Sequence, residues 1–509
     1  MELPILLFCI SLIFCWFIIK PFLYSKSSRK LPPGPTGLPI IGSLLELGPR
    51  PNRSLAELAE IYGPLMTLKL GSVTTIIASS PETAKEILQI HDKTLSARTV
   101  PHVVASQPNV EATLAWVPPD NMWRAKRKIC NTQLFTNQRL DALQELRHQK
   151  VEWLVNHIRK LQCDNNNDNN DNGSPVDIGR VAFATTLNLV SCTIFSIDIV
   201  DPEFEKAQEF KDLVWRIMEY SAKPNLADYF PVLKWLDLQG VKRHIRPAYL
   251  RLREIFEQLI EKRIEARAAG LKKKGDFLDV LLDQCEDDES GFDRKTIKPL
   301  ILDLFIAGSD TSSATTEWAM AELLRKPEEL NKVRQEIIQQ IGTERPVKET
   351  DIDKLPYLQA VVKETLRLHP AVPLLLPRKA LNDTEMFGYT VPKNSQVFVN
   401  AWAIGRNPKY WEKPLEFMPE RFLKSSVDYK GRNFEYIPFG AGRRICPGMP
   451  LAIRMVNLML ASIIQPFNWK LPKGMEPENL DMEEQFGVTL RKVIPLVAIP
   501  SMEENKIIF

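Results

Sequence analysis

A single cysteine, Cys446, lies in the glycine- and arginine-rich segment Pro438–Gly448, PFGAGRRICPG. A structural zinc site needs several clustered ligands and a disulfide needs a second thiol, and this segment supplies neither. A GxGxxG dinucleotide motif is excluded because Ile445 occupies the third glycine position. Two interpretations remain: a cysteine nucleophile, which needs a histidine brought near by the fold, or a thiolate that binds a cofactor metal.

The residues after Cys446 favour the metal-binding thiolate. Pro447 suits the first turn of a helix, and the apolar run 451–464 is long enough to form one. A sulfur at a helix N-terminus gains the helix dipole and free backbone N–H groups, which stabilise the thiolate. A sole cysteinate is one way in which proteins hold haem iron, so we predict that Cys446 is an axial haem ligand.

A polar segment interrupts the apolar stretch between Leu300 and Lys326. Its centre, AGSDTSSATT, contains six hydroxyl residues, a poor composition for a helix. One alternative is a loop between two helices. The other is a long buried helix, opened at its centre, in which Asp310 and Thr311 face a reacting ligand and Gly308 lets that ligand approach the backbone.

A charged pair occurs in the segment KETLRLHP, where Glu364 and Arg367 lie three residues apart on one face of a predicted helix. On the surface such a pair contributes little to stability. In the interior, the guanidinium and the carboxylate need further hydrogen-bond partners, and Arg421 in MPERF is the candidate.

The composition indicates a globular protein. Of the 509 residues, 44% are hydrophobic and 25% charged, and the formal net charge of +3 is too small to indicate nucleic-acid binding. The seven cysteines are scattered and form no CxxC pair, as expected for a reduced protein. We predict one large, mainly α-helical domain with small β-sheets over residues 31–509.

The first thirty residues predict a membrane anchor. Leu3–Ile19 holds 17 residues without a charge. As a helix this run spans about 26 Å, close to the thickness of about 27 Å of the endoplasmic-reticulum bilayer. Its basic residues follow it, from Lys20 to Lys30, which argues against a cleaved signal peptide. We predict that residues 1–30 form a single-pass anchor in membrane lipid, with a lumenal N-terminus and a cytosolic folded domain.

Local patterns predict the elements that follow. Four prolines and two glycines in residues 31–39 indicate a stiff hinge. The Asn-rich segment 164–173 is predicted to be a disordered surface loop. The remaining patterns predict a helix ending at Gly63, a hairpin in residues 65–79, a mostly helical region from Pro81 to Pro327 and small strands in residues 385–400.

Together these motifs resemble those of the plant microsomal cytochrome P-450 family, and the resemblance covers the whole chain. The matched patterns are haem binding (Phe439, Gly442, Arg444, Cys446 and Gly448), the oxygen-activating helix (Ala307, Gly308, Asp310 and Thr311) and the structural triad (Glu364, Arg367 and Arg421). Stretches such as VDIGRVAFATTLNL and NAWAIGRNP resemble the geraniol hydroxylase and terpenoid oxidase group within it.

The resemblance implies a haem b held by Cys446, with propionate contacts from Trp123, Arg127, Arg378 and Arg444. It also implies that Thr311 and Asp310 serve oxygen activation and proton delivery. Electrons would come from NADPH through a separate reductase that carries FAD and FMN. The exposed basic residues of WRAKRK are suited to meet such an acidic donor.

The expected function is therefore a monooxygenase that hydroxylates a small apolar terpenoid. The candidates are a monoterpenol such as geraniol and a sesquiterpene olefin such as santalene or bergamotene. A diterpene or phenolic substrate is an alternative, as is an isomerase or dehydratase reaction that needs no reductase. The resemblance places the loop before Trp123 at the substrate pocket, together with five largely apolar residues: Phe305, Ala307, Val372, Leu374 and Phe486.

Overall fold

The structure is a computed structural model that describes residues 30–107, 109–163, 174–199, 205–286 and 292–502. The described residues form a mainly α-helical domain with small β-sheets, as predicted. The predicted anchor, apart from Lys30, lies outside the described residues, and so does the predicted Asn-rich loop.

The α-helices differ widely in length, and the longest lies near the middle of the chain. In chain order they are α1 (Pro51–Tyr62), α2 (Pro81–Lys85), α3 (Asp92–Leu95), α4 (Asn121–Gln133), α5 (Asn137–Ala142), α6 (Gln144–Cys163), α7 (Ile178–Phe195), α8 (Glu205–Ala222), α9 (Leu226–Tyr229), α10 (Val241–Ala268), α11 (Phe277–Glu286), α12 (Arg294–Arg325), α13 (Pro327–Ile341), α14 (Pro356–Leu368), α15 (Ala401–Ile404) and α16 (Met449–Ile464).

The strands are short. They are β1 (Leu65–Leu70), β2 (Val73–Ala78), β3 (Ala97–Arg98), β4 (Val176–Asp177), β5 (Arg378–Lys379), β6 (Thr384–Met386), β7 (Tyr389–Val391), β8 (Gln396–Val399), β9 (Phe467–Lys470), β10 (Glu484–Gln485), β11 (Arg491–Lys492) and β12 (Val497–Met502). The largest sheet has the order β1-β2-β8-β5-β3, and three smaller sheets pair β10 with β11, β6 with β7, and β4 and β9 with β12.

The predicted hairpin and the predicted helix end near Gly63 are confirmed. Strands β1 and β2 are antiparallel, with Leu65 opposite Ala78 and Leu70 opposite Val73. Helix α1 ends before Gly63, whose φ of +96° is readily adopted by glycine. Strand β2 then pairs in parallel with β8, which joins this hairpin to the strand region of residues 384–399.

Helix α12 is continuous, so the interpretation of its centre as a loop is wrong. The side chain of Asp293 caps its first turn by accepting a hydrogen bond from the backbone N–H of Thr296, and Lys326 and Pro327 end it. Five of the six hydroxyl groups that argue against a helix donate to carbonyls inside it. Those of Ser309 and Thr316, for example, donate to backbone carbonyls one turn earlier, at 2.6 and 3.0 Å.

Helix α12 links the two largest hydrophobic clusters of the described residues. Its first half, from Ile297 to Phe305, packs with α4, α7, α10 and α11. Its second half, from Ala319 to Leu324, packs with α6, α13, α14 and α16. The hydroxyl-rich turns lie between these clusters. One helix therefore sets the relative positions of the packed elements on both sides of the candidate site.

Gly308 serves the packing of α12 on α7. A Cβ atom at Gly308 would lie 3.0 Å from a methyl carbon of Val190 in α7, a tight contact. Small residues allow such close approach of two helices. That Gly308 also lets a ligand approach the backbone stays a prediction.

Glu364 and Arg367 form a buried ion pair at the end of α14. Two nitrogens of Arg367 donate to the two carboxylate oxygens of Glu364, at 2.7 and 2.8 Å, and Nε of Arg421 donates to Glu364 at 3.0 Å. The remaining donors of Arg367 bind the backbone carbonyls of Gly405, Pro414 and Glu416. All three predicted members therefore meet, and they connect α14 to the irregular chain before the haem-binding loop.

We expect Glu364→Ala to lower the free energy of unfolding by about 3–5 kcal/mol, because it leaves the buried charge of Arg367 unpaired. Denaturant unfolding, followed by circular dichroism, measures this change. Glu254→Ala is the matched control, since Glu254 and Arg251 form an exposed pair with the same spacing. Equal effects of the two substitutions would contradict the expected importance of the buried pair.

Candidate active site

The loop Pro438–Gly448 is closed by its own backbone. The N–H of Cys446 donates to the carbonyl of Phe439 at 3.0 Å. Gly442 has a φ of +69°, and a Cβ atom there would lie 1.9 Å from the carbonyl oxygen of Leu88. Because no other residue has both the conformation and the space, Gly442 lets the loop lie directly against the segment that contains Leu88.

The sulfur of Cys446 lies at the N-terminus of α16. The backbone N–H groups of Gly448 and Met449 and the nearby charge of Arg127 act to lower the pKa of its thiol and so favour the thiolate. Burial acts in the opposite direction and raises the pKa of the Cys446 thiol. The free N–H groups of a helix end therefore stabilise negative charge on this sulfur, which suits a metal ligand.

The predicted place of Pro447 in the first turn of the helix is wrong. Helix α16 begins at Met449, and Pro450 occupies its second position. The sequence CPGMP contains two prolines, and either suits a first helical turn because the first N–H groups of a helix have no partner within it. Pro447 instead lies between the cysteine and the helix.

Three arginines gather beside this loop: Arg378 is buried, and Arg98 and Arg444 are half-buried. Arg98 of β3 is directly opposite Arg378 of β5 in the antiparallel sheet, an unfavourable pairing of like charges. The guanidinium carbon of Arg444 lies 4.4 Å from the ring centroid of Trp123. Burial, together with repulsion by neighbouring arginines, lowers the pKa of Arg98, and it lowers those of Arg378 and Arg444 to about 10.

Only part of this positive charge is offset by the protein. Asp92 accepts hydrogen bonds from Arg378 at 3.4 Å and from Arg443 at 2.9 Å. Arg98 and Arg444 donate to backbone carbonyls, and neither is bonded to a carboxylate within the described residues. The excess of partly buried cations fits a ligand with two carboxylates, as the propionates of haem b provide, and a guanidinium is a suitable donor to each.

The predicted contacts of Trp123 and Arg127 differ in kind. The indole N–H of Trp123 donates to the carbonyl of Leu114 at 3.1 Å, so it positions the chain before α4. Arg127 interacts electrostatically with Cys446, and burial lowers its pKa. Within the described residues no group of three or more His, Cys, Asp or Glu side chains lies together as a metal site.

Asp310 and Thr311 do not face the same partner. The hydroxyl of Thr311 donates to the carbonyl of Ala307 at 2.7 Å, and Ala307 is exposed although most of α12 around it is buried. Asp310 is buried and forms an ion pair with Arg491 of β11, whose guanidinium carbon lies 4.8 Å from the ring of Trp215. Adjacent residues of a helix point about 100° apart, which explains the divergence.

An apolar pocket lies between the largest sheet and the chain after α14. Three of the five predicted pocket residues line it, namely Val372, Leu374 and Phe486. The ring of Phe305 lies elsewhere, in an aromatic core with Phe195 and Phe256 at centroid distances of 5.7 and 4.7 Å. Ala307 is not among the residues that line this pocket. An apolar side chain that lines a cavity and one that packs in a core look alike in a sequence.

Two residues of the site were missed by sequence reasoning: Arg98 and Arg491. Arg98 belongs to the cation cluster, and Arg491 binds Asp310. Both lie on strands of two residues, which are too short for a sequence pattern. Trp116 lies in the loop before Trp123, and it lines the apolar pocket.

Comparison with known proteins identifies the class. A family profile described as Cytochrome P450 matches residues 32–496. The chain belongs to the cytochrome P450 family and is a P450 monooxygenase. The group that such enzymes hold is haem b, which activates dioxygen with electrons that a separate reductase takes from NADPH.

Relatives within the family match the chain over nearly its whole length. A geraniol 8-hydroxylase of Catharanthus roseus is 48% identical over 493 residues, covering 97% of this chain and 98% of the relative. A geraniol 8-hydroxylase of Swertia mussotii is 48% identical, with 94% of each chain covered. A geranylhydroquinone 3''-hydroxylase of Arnebia euchroma is 46% identical, with 94% of this chain and 96% of the relative covered.

We expect Arg98→Ala to weaken haem retention about tenfold, because it removes a charge-assisted hydrogen-bond donor from the cation cluster. Loss of haem to excess apomyoglobin, followed by absorbance, measures the change. Arg251→Ala changes an exposed arginine far from the cluster and serves as the control. If Arg98→Ala loses haem at the same rate as the wild-type enzyme, Arg98 is not a propionate contact.

Proposed function

We propose that this P450 hydroxylates a small terpenoid alcohol, a monoterpenol of the geraniol type. The observation that carries the proposal is the apolar pocket, which contains a buried polar pair in its sheet wall. There the hydroxyl of Thr75 donates to the amide oxygen of Gln396 at 3.3 Å, and both residues line the pocket. A mostly apolar pocket with a few polar groups suits a hydrocarbon chain that bears one hydroxyl.

The relatives support the same class of substrate. Two of them are named for the hydroxylation of geraniol and a third for that of geranylhydroquinone, so a geranyl chain is common to all three names. A sesquiterpene olefin such as santalene or bergamotene fits the apolar walls but makes no use of Thr75 and Gln396. Diterpenes and phenols are the further alternatives, and an isomerase or dehydratase reaction is the least supported.

The residues of the loop and of α12 have distinct roles in this proposal. Cys446 holds the haem iron, while Arg98, Arg378 and Arg444 bind the propionates. The Thr311 hydroxyl, on the same face of α12 as the exposed Ala307, is the proton donor at the reacting centre. Asp310 forms an ion pair with Arg491, and we assign to Asp310 the role of controlling the supply of protons to the Thr311 hydroxyl.

The enzyme is proposed to lie on the cytosolic surface of the endoplasmic reticulum, with residues 1–30 as its anchor. Supporting this, an exposed apolar patch (Val232, Trp235, Leu236 and Leu238) has side chains that are 59–85% exposed. The patch follows Tyr229, which lines the apolar pocket. Within the described residues, the one helix of sufficient length and apolarity to span a membrane is Ile178–Phe195, and it is largely buried inside the fold. The exposed patch beside the pocket would contact the membrane, so an apolar substrate would enter the pocket from the lipid.

The electron donor is proposed to be an NADPH-dependent reductase with FAD and FMN. Helix α4 offers the exposed residues Arg124 and Lys128, whereas Lys126 of the same basic segment is buried. Exposed cations on the helix that carries Trp123 and Arg127 are suited to an acidic partner and would bring its flavin near the haem.

The proposal is tested with microsomes that contain the enzyme and a reductase, supplied with NADPH and a panel of terpenoids and phenols. We expect hydroxylated geraniol as the main product, identified by mass spectrometry. Cys446→Ser should abolish both the product and the thiolate-type band of the carbon-monoxide difference spectrum, because oxygen replaces the sulfur ligand. Turnover of only sesquiterpenes or phenols would contradict the proposed substrate, and wild-type enzyme without that band would contradict the haem-thiolate site.

We expect Thr311→Ala to lower the amount of product per NADPH consumed roughly tenfold or more, because it removes the proposed proton donor. Product and NADPH consumption are measured in the same reaction. Thr315→Ala is the matched control, since its hydroxyl also donates to a carbonyl one turn earlier, at 2.9 Å, but it is buried. Unchanged coupling in Thr311→Ala would exclude the proton-donor role.

A further inference from the structure

An acidic residue of α12 that no motif singles out contacts the chain beside the apolar pocket. One carboxylate oxygen of Asp303 accepts hydrogen bonds from the backbone N–H groups of Leu114 and Ala115, at 2.6 and 3.0 Å. Asp303 lies one helical turn before Ala307 and two turns before Thr311, on the same face of α12. Two N–H groups thus fasten the strap, which we define as residues 114–117, to the catalytic helix.

The strap is also held by two half-buried arginines, Arg98 and Arg444. The carbonyl of Ala115 accepts from Nε of Arg98 at 3.2 Å. The carbonyls of Leu114 and Val117 accept from Arg444. The N–H groups of the strap therefore donate hydrogen bonds to a carboxylate of α12, and its carbonyl groups accept hydrogen bonds from guanidinium groups that we assign to haem binding.

The side chain between these contacts is Trp116, which lines the apolar pocket. Its neighbours in the chain, Ala115 and Val117, have their backbone groups bound to Asp303, Arg98 and Arg444. A large aromatic ring with two rotatable bonds is placed mainly by its backbone. The position of this pocket wall relative to α12 is thus set by the hydrogen bonds of Asp303.

Asp303 is half-buried, and the groups around its carboxylate indicate that these bonds matter. Burial raises the pKa of Asp303 to about 6, and its two backbone hydrogen bonds oppose that shift. A buried lysine, Lys126, lies near enough that its charge also favours the carboxylate, and its ammonium has no hydrogen-bond partner within the described residues. A buried carboxylate is costly unless hydrogen bonds and a nearby charge offset it.

We propose that Asp303 is a positioning residue that fixes Trp116 in the substrate pocket through the strap, and so determines which carbon of the terpenoid is hydroxylated. This rests on the proposed function, because it concerns the orientation of that substrate. Asp303 acts through Leu114, Ala115 and Trp116 and makes no direct contact with substrate in this role.

The central comparison is between Asp303→Ala and Asp303→Asn. Alanine removes the acceptor, whereas the amide oxygen of asparagine can still accept from both N–H groups, although the charge is lost. We expect the ratio of hydroxylation positions on geraniol to change about fivefold or more in Asp303→Ala and to stay within about twofold of wild type in Asp303→Asn. A wild-type ratio in Asp303→Ala, or equal changes in both variants, would overturn the proposal.

A double-mutant cycle tests whether Asp303 acts through Trp116. If it does, Asp303→Ala/Trp116→Ala gives the product ratio of Trp116→Ala alone. Additive effects would overturn the proposal. Asp293→Ala is the matched control, since Asp293 caps the start of the same helix and its loss should lower stability without changing the ratio. If the alanine variant does not take up haem, Asp303→Gln provides the same comparison, because its longer side chain displaces the acceptor.

Amide hydrogen exchange separates this inference from the proposed function. The N–H groups of Leu114 and Ala115 should exchange about tenfold faster in Asp303→Ala than in wild type or Asp303→Asn, whatever the substrate. Unchanged exchange would overturn the role of Asp303. Failure of the wild-type enzyme to hydroxylate any terpenoid, with the exchange result as expected, would instead contradict the proposed substrate and leave the strap contact in place.

Discussion

Placing several guanidinium groups side by side in a partly buried region is unfavourable unless an anion offsets their charge. In this chain the groups come from β3, β5 and the loop that contains Cys446, and Asp92 offsets only part of their charge. Two of the arginines, Arg98 and Arg444, also bind carbonyls of residues 114–117 beside the apolar pocket. In the proposed function, haem retention and the shape of the substrate pocket therefore both depend on these arginines.

The faces of helix α12 have different surroundings. The face with Ala307 and Thr311 is accessible, Gly308 packs against α7, and Asp310 is bound to Arg491. Five of the six hydroxyl groups in its centre, those of Ser309, Thr311, Ser313, Thr315 and Thr316, donate to carbonyls of the same helix. Most of this polar stretch can thus lie between two hydrophobic clusters without partners from neighbouring elements.

Features that depend on neighbouring residues could be predicted from the sequence. The loop around Cys446, the spacing of Glu364 and Arg367, the hairpin β1–β2 and the mainly helical class are local patterns of this kind. Features that depend on contacts between distant segments could not be predicted from the sequence. Arg98 and Arg378 become neighbours only when β3 pairs with β5, and Phe305 proved to be a core residue because three aromatic rings from different helices meet. The predicted position of Pro447 in the first turn of α16 was wrong for a different reason. Two nearby prolines, Pro447 and Pro450, both suit the first turn of a helix.

The buried Arg367 holds the irregular chain between α15 and the haem-binding loop through the carbonyls of Gly405, Pro414 and Glu416. Every residue type has a backbone carbonyl, so this anchoring does not depend on which side chains the segment carries. Two positions are exceptions. A Cβ atom at Gly405 would lie 2.5 Å from the carbonyl oxygen of Arg367, and the side chain of Arg421 donates to Glu364. Evolution and protein engineering can therefore change the surface of this segment widely while its path stays the same.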